Sequence, residues 1–171
     1  MAKSSPSPFV FGFAGWSGSG KTTLAEKLIR LANNQGISIS TIKHAHHHFD
    51  ADIEGKDSWR HRKAGASQVL VASERRSALF TENAIAQKPV LSDLLSRLDH
   101  TDWVLVEGFK EGAIPKIEIF MPHLSKTPLY QTDKHIIAVM SEAPVIDCPL
   151  PWFHRDDVSA LFTFLQQIAQ R

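Results

Sequence analysis

Apolar residues along the chain fall into short dense runs separated by stretches with the helical period. FVFGFA, residues 9–14, is an almost unbroken apolar run, as expected of a buried strand. After GWSGSGKTT the period changes. Leu24, Leu28 and Leu31 recur with Ala25 and Ala32 on one face, Glu26, Lys27 and Arg30 face out, and Gly36 stops the helix. ISISTIK, residues 37–43, alternates as a second strand does. Gly55 and Gly65 bracket a short helix over about residues 57–64. Two strands, 68–73 and 76–82, can pair as a hairpin, and Pro89 opens a helix. WVLV, residues 103–106, is a buried strand ending at Glu107 and Gly108, and KIEIF (116–120) is another. A proline-bearing loop, 121–134, leads to a strand at 135–140. Residues 143–153 read as loop with at most a short edge strand. The last helix starts near Asp157, with Val158, Leu161, Phe162, Leu165 and Ile168 on its apolar face.

Strands alternating with helices predict an α/β fold with a mostly parallel central sheet flanked by helices. Ligands of such sheets bind outside the carboxyl ends of the strands. The segment from Gly15 to Thr23, the residues after Lys43, Glu107, and the pair Ser141 and Glu142 are therefore expected on one face. With 171 residues, a single domain over 9–171 is the default, after a serine- and proline-rich leader, 1–8, that reads as disordered.

Composition removes several function classes. Net charge is +1 with histidines neutral, and no basic run marks a nucleic-acid or membrane-surface partner. No stretch approaches the length of a membrane span. The apolar run at 9–14 is broken by glycine and leads into a glycine-serine loop, unlike a signal peptide. Cys148 is the only cysteine, which suits a reducing cytoplasm.

GWSGSGKTT fits G-x-x-x-x-G-K-[ST], the phosphate loop of P-loop NTPases, with Gly15, Gly20, Lys21 and Thr22 in the defining positions. Gly18 and Gly20 permit a backbone that turns N–H groups inward. The helix that follows adds the positive end of its dipole. Lys21 offsets β/γ-phosphate charge, and the Thr22 hydroxyl can ligate Mg²⁺. The expected nucleotide contacts are Gly15, Ser17, Gly18, Ser19, Gly20, Lys21, Thr22 and Thr23, with a purine nucleoside triphosphate and Mg²⁺ as ligands.

Glu107 stands where P-loop proteins carry an acid for the metal shell or a water, although aspartate is the commoner choice. Asp50, Asp52 and Asp57 follow the second strand and are further Mg²⁺ candidates. Asp57 serves equally well as a helix N-cap. Lys56, Arg60 and Arg62 are candidates for phosphate or acidic-ligand contact, with a solvated helix face as the plainer reading of Arg62 and Lys63. The guanine-reading N-K-x-D is absent. Glu142, in AVMSEAP, occupies the corresponding place and can accept hydrogen bonds from guanine N1 and N2.

IKHAHHHFDAD, residues 42–52, carries four histidines. Alternation puts His44, His46 and His48 on one side and His47 on the other. That first face is expected toward the phosphate loop, with imidazoles donating to phosphate oxygens. Transition-metal binding and a structural role are the other readings.

GWSGSGKTTL, IKHAHHHFDAD, GKDSWRHRKAGA and VLVEGFK, in this order, resemble the MobB family of molybdopterin-guanine dinucleotide biosynthesis proteins. The resemblance spans about Phe9 to Met140. It implies a homodimeric P-loop protein that binds GTP and hydrolyses it slowly. It further implies an adaptor working with the nucleotidyltransferase that joins GMP to molybdopterin, and with the molybdate-inserting enzyme. A hairpin used in dimer formation is part of the family's fold, and residues 68–82 or 116–134 can supply it. Two rival functions remain open on the residues. A small-molecule kinase needs an arginine-bearing lid, for which only Arg75 and Arg76 are adjacent. A metallochaperone GTPase would use the histidines.

Overall fold

The computed structural model describes residues 7–45, 49–85 and 88–170. His46, His47 and His48 lie outside them, as does most of the leader. Two compact units form: residues up to His44 together with those from Leu91 onward, and Ala45–Val90.

The first unit is built on six strands: β1 (Phe9–Ala14), β2 (Ile39–Lys43), β5 (Trp103–Glu107), β6 (Lys116–Ile119), β7 (Ile136–Ser141) and β8 (Trp152–His154). Their order is β2-β5-β1-β6-β7-β8, and every neighbouring pair is parallel. The helices of this unit are α1 (Lys21–Asn34), α3 (Leu91–Leu95) and α4 (Val158–Ala169). Each central strand sends alternate residues to opposite faces. Phe11 and Phe13 of β1 and Trp103 and Leu105 of β5 pack with Leu24, Leu28, Ala32, Leu161 and Leu165 from α1 and α4. Ile42, Val104 and Val106 face the other way, against Leu91, Leu94 and Leu95 of α3. Burial on both faces explains why β1 and β5 read as apolar runs rather than as alternation. The helices at α1 and α4 and the strands are those expected. The helix after Pro89 is shorter than its pattern implied.

The second unit holds α2 (Asp57–Lys63) and the strands β3 (Gln68–Ala72) and β4 (Ser77–Thr81). These strands form an antiparallel hairpin, whereas residues 116–134 do not, since β6 within them pairs in parallel with β1 and β7. The latter run carries two 3₁₀ turns, Pro122–Leu124 and Leu129–Gln131. Among the described residues no helix is long and apolar enough to cross a membrane.

Candidate functional site

The phosphate loop leaves the end of β1 and feeds α1. Gly15, Gly18 and Gly20 all have positive φ, at 146°, 82° and 87°. Gly15 is also a packing requirement, because a Cβ there would stand 2.6 Å from Ile119 O. Ser19 is buried and its N–H donates to Trp16 O at 3.1 Å, which closes the loop. Gly20 is the N-cap of α1, and no side chain caps that end. The helix therefore presents uncapped N–H groups beside the loop, an arrangement suited to an anion.

Lys21 folds back over this loop. Its Nζ donates to Gly15 O at 2.9 Å and to Trp16 O at 2.8 Å. Burial lowers its pKa, Glu107 opposes that shift, and Lys110 and Lys43 add to it. Its ammonium is thus under-compensated, which favours an anionic ligand. Thr22 and Thr23 lie in the first turn of α1 and are exposed, as are Ser17 and Gly18.

Glu107 ends β5, beside β1 and β2. Its side chain is 14% exposed and its Oε2 lies 3.9 Å from Lys43 Nζ. Glu107 is thus brought to the loop, within electrostatic reach of Lys21. The hydroxyl of Thr22 and the carboxylate of Glu107 are hard oxygen donors, the type that Mg²⁺ takes. His44 continues the β2–β5 ladder, its N–H donating to Glu107 O at 2.8 Å. Its ring lies 4.9 Å from that of Phe109, so it is held at the mouth of the sheet beside Glu107. The expectations for His46 and His48 fall outside the described residues. Among those described, no three His, Cys, Asp or Glu side chains converge as a metal site.

Glu142 follows β7, as expected, and accepts from Arg155 Nη1 at 2.8 Å. The sequence reading missed Arg155. It lies just past the three-residue strand β8, which carries no motif. Once β8 is counted as a parallel strand, its carboxyl end must open on the same face as the loop. Trp16 was also missed. Lys110 and Lys126 each place Nζ 5.7 Å from its ring centroid, and its indole N–H donates to Thr127 O at 3.0 Å. With Lys43 and Lys21 they make the loop's surroundings cationic.

The remaining acidic candidates belong to the second unit. Asp50 and Asp52 both accept from Arg62, Nη1 lying 2.7 Å from Asp50 Oδ1 and 3.2 Å from Asp52 Oδ2. Arg62 Nε also donates to Glu82 Oε1 at 2.6 Å. The solvated-face reading of Arg62 is therefore corrected: its side chain is only 12% exposed, because three carboxylates surround it. The Arg62 bond holds Asp50 below the usual carboxylate range. Burial works against ionisation of Asp52, but Ser58, the Ile53 N–H and Arg62 outweigh it. The N-cap reading of Asp57 is also corrected. The cap is Lys56 and Asp57 is the first helical residue, where its carboxylate favours the helix dipole. Arg75 and Arg76 sit at the hairpin tip between β3 and β4, not in a helical segment.

Comparison with known proteins agrees with this architecture. The profile of MobB, molybdopterin guanine dinucleotide synthesis protein B, matches residues 10–142. A molybdopterin-guanine dinucleotide biosynthesis adapter protein of Haemophilus influenzae is 47% identical over 139 residues, 80% of this chain and 76% of that one. The Escherichia coli protein of the same name is 42% identical over 165 residues, 95% of this chain and 94% of its own. The crystal structure of Bacillus subtilis MobB superposes with a TM-score of 0.72 at 30% identity, covering 92% of this chain and 96% of that one. The fold is thus P-loop NTPase-like, a six-stranded parallel sheet with an added antiparallel hairpin. The chain belongs to the MobB family, molybdopterin guanine dinucleotide synthesis protein B.

Proposed function

We propose that the chain is a GTP-binding adaptor in the synthesis of molybdopterin guanine dinucleotide, with slow GTP hydrolysis at most. Family membership supports the biosynthetic role. The observation that carries the nucleotide reading is Lys21 folded onto the carbonyls of a loop whose glycines adopt positive φ at the start of α1. Phosphate oxygens would take the loop N–H groups and the Lys21 ammonium. Thr22 and Glu107 would hold Mg²⁺, which when bound would neutralise β/γ-phosphate charge. Asp50 and Asp52 give their oxygens to Arg62, so the metal role falls first to Glu107. Among the described residues the Glu107 carboxylate pairs with Lys43, and the sequence offers no recognisable arginine finger or attacking-water glutamine, which would suit a protein that holds GTP longer than it turns it over.

The reading extends to partners. The nucleotidyltransferase that joins GMP to molybdopterin and the molybdate-inserting enzyme would be the proteins it serves. A second copy of the chain would pair through the β3–β4 hairpin, one face of which exposes Leu70 and Leu79. The His44 side of the sheet mouth would face phosphate or pterin oxygens.

Titration with GTP and with ATP in the presence of Mg²⁺ tests the reading. The wild type should bind GTP in preference, and Lys21→Ala should weaken binding at least about tenfold. Lys21 lies outside the apolar core, so the variant should keep the fold while losing the ammonium that spans the loop. A wild type that binds neither nucleotide, or that passes phosphate rapidly to a metabolite, overturns the proposal.

A further inference from the structure

We propose that Arg155 bridges the nucleotide's phosphates and Glu142, so that phosphate occupancy aligns the carboxylate that reads the base; this rests on the nucleotide reading above. Arg155 is placed for both contacts. Its backbone N–H donates to Ser141 O at 2.9 Å, which carries the β7–β8 pairing up to the mouth of the sheet. Nη1 donates to Glu142 Oε1 at 2.8 Å. Nη2 faces the phosphate loop, 3.4 Å from where a Cβ on Gly20 would stand. Next to it Lys27 of α1 lies 3.4 Å from Asp156 Oδ1, a second ion pair fastening α1 to the end of β8. Ser19, Gly20, Thr23, Lys27, Arg155 and Asp156 line the cleft between them.

The charge arrangement calls for an anion. A guanidinium beside the N-terminus of α1, a helix of 14 residues, opposes the helix dipole. Lys21, in the first turn, adds to the positive charge. Glu142 engages Nη1, and among the described residues no acceptor engages Nη2. A guanidinium offers five donors in a fixed plane and can hold two acidic groups at once. A phosphate oxygen seated near Gly20 would take Nη2 while Glu142 stays on Nη1. The sugar and base would then extend along the cleft toward the ends of β7 and β8. Each oxygen of the Glu142 carboxylate accepts two hydrogen bonds. The bond to Arg155 therefore leaves capacity for guanine N1–H and N2–H and fixes the direction in which they are met.

Affinities of the full chain for guanosine, GMP, GDP and IDP separate the two contacts, since guanosine lacks phosphate and IDP lacks the exocyclic amine. Arg155→Ala should weaken GMP and GDP about tenfold or more, weaken guanosine less, and shrink the preference for GDP over IDP. Arg155→Lys should recover part of the phosphate contact without the preference, because an ammonium cannot span both groups. Glu142→Gln should lose the preference and keep most of the phosphate contact. If the wild type binds GDP but Arg155→Ala matches it in affinity and in preference, the bridge is wrong and the nucleotide reading stands. If Arg155→Ala does not fold, Arg155→Lys decides, and a wild-type GDP-to-IDP ratio in it overturns the bridge. A wild type that binds none of the four compounds defeats the nucleotide reading itself, and the bridge with it.

Discussion

The KIEI of β6 alternates Lys116 and Glu118 with Ile117 and Ile119. On a half-buried strand such alternation would leave the charges in water. Both are buried instead, because β6 lies between β1 and β7 and the segment after it folds over its polar side. Lys116 Nζ reaches Lys110 O and Asp133 Oδ2, each at 2.7 Å. Glu118 takes the N–H groups of Leu129 and Tyr130, at 2.6 and 2.8 Å, and so anchors the 3₁₀ turn Leu129–Gln131. Burial raises the Glu118 pKa, the two N–H groups only partly offset that, and Asp133 adds to the rise. A carboxyl with a raised folded pKa contributes stability that is fully present below its unfolded pKa and is lost as pH rises through the folded pKa. Asp133 has a lowered pKa, so its own titration falls at more acid pH. Glu118→Gln should therefore remove a slope confined to the region above about pH 4.5. The unfolding free energy of the variant relative to wild type should rise with pH there, by no more than about 1.4 kcal/mol per pH unit. Urea unfolding at a series of pH values measures it. A difference independent of pH would show that Glu118 titrates alike in both states.

Arg62 ties three segments of the second unit together. Its guanidinium reaches Asp50 and Asp52 before α2 and Glu82 after β4, and it lies 5.2 Å from the centroid of the Phe80 ring on β4. A lysine keeps the charge but not the fork. Arg62→Lys should speed amide exchange at Asp52 and Ile53 about tenfold, by loosening the turn in which their N–H groups donate to Asp50 Oδ1 and Asp52 Oδ1. Unchanged exchange there would mean the turn holds without the arginine. This element also shows what the sequence can and cannot reveal. The hairpin was legible because two apolar runs flank a short polar turn. The phosphate loop was legible because its geometry needs fixed residue types at fixed spacing. Glu107 was legible because a buried strand ends at it. The Arg62 cluster was not, since its partners are 10, 12 and 20 residues away and no local rule connects them. Arg155 escaped for the same reason: only the strand order brings the end of β8 beside β7 and the loop.

At the scale of the whole molecule the hairpin is the feature that bears on assembly. Its two faces differ. Val69 and Phe80 pair on one, with Val69 buried and Phe80 partly so, and this is the face on which Arg62 stacks. Leu70 and Leu79 pair directly on the other and are 65% and 59% exposed. Two adjacent leucines in water on a two-stranded ribbon give up apolar burial that a partner would recover. A second copy offers the same pair, and a two-fold axis lets each leucine pair cover the other. If two copies pair through this face as proposed, replacing both Leu70 and Leu79 with serine should abolish dimer formation on light scattering at micromolar concentration, and a wild type that is already monomeric there would overturn the proposed interface. Any GTP affinity the wild type shows should survive the substitution, because the phosphate loop, Glu107 and Glu142 all lie in the first unit. A variant that stays dimeric would move the interface elsewhere. One that dissociates and also loses GTP binding would show that the nucleotide site draws on the second copy.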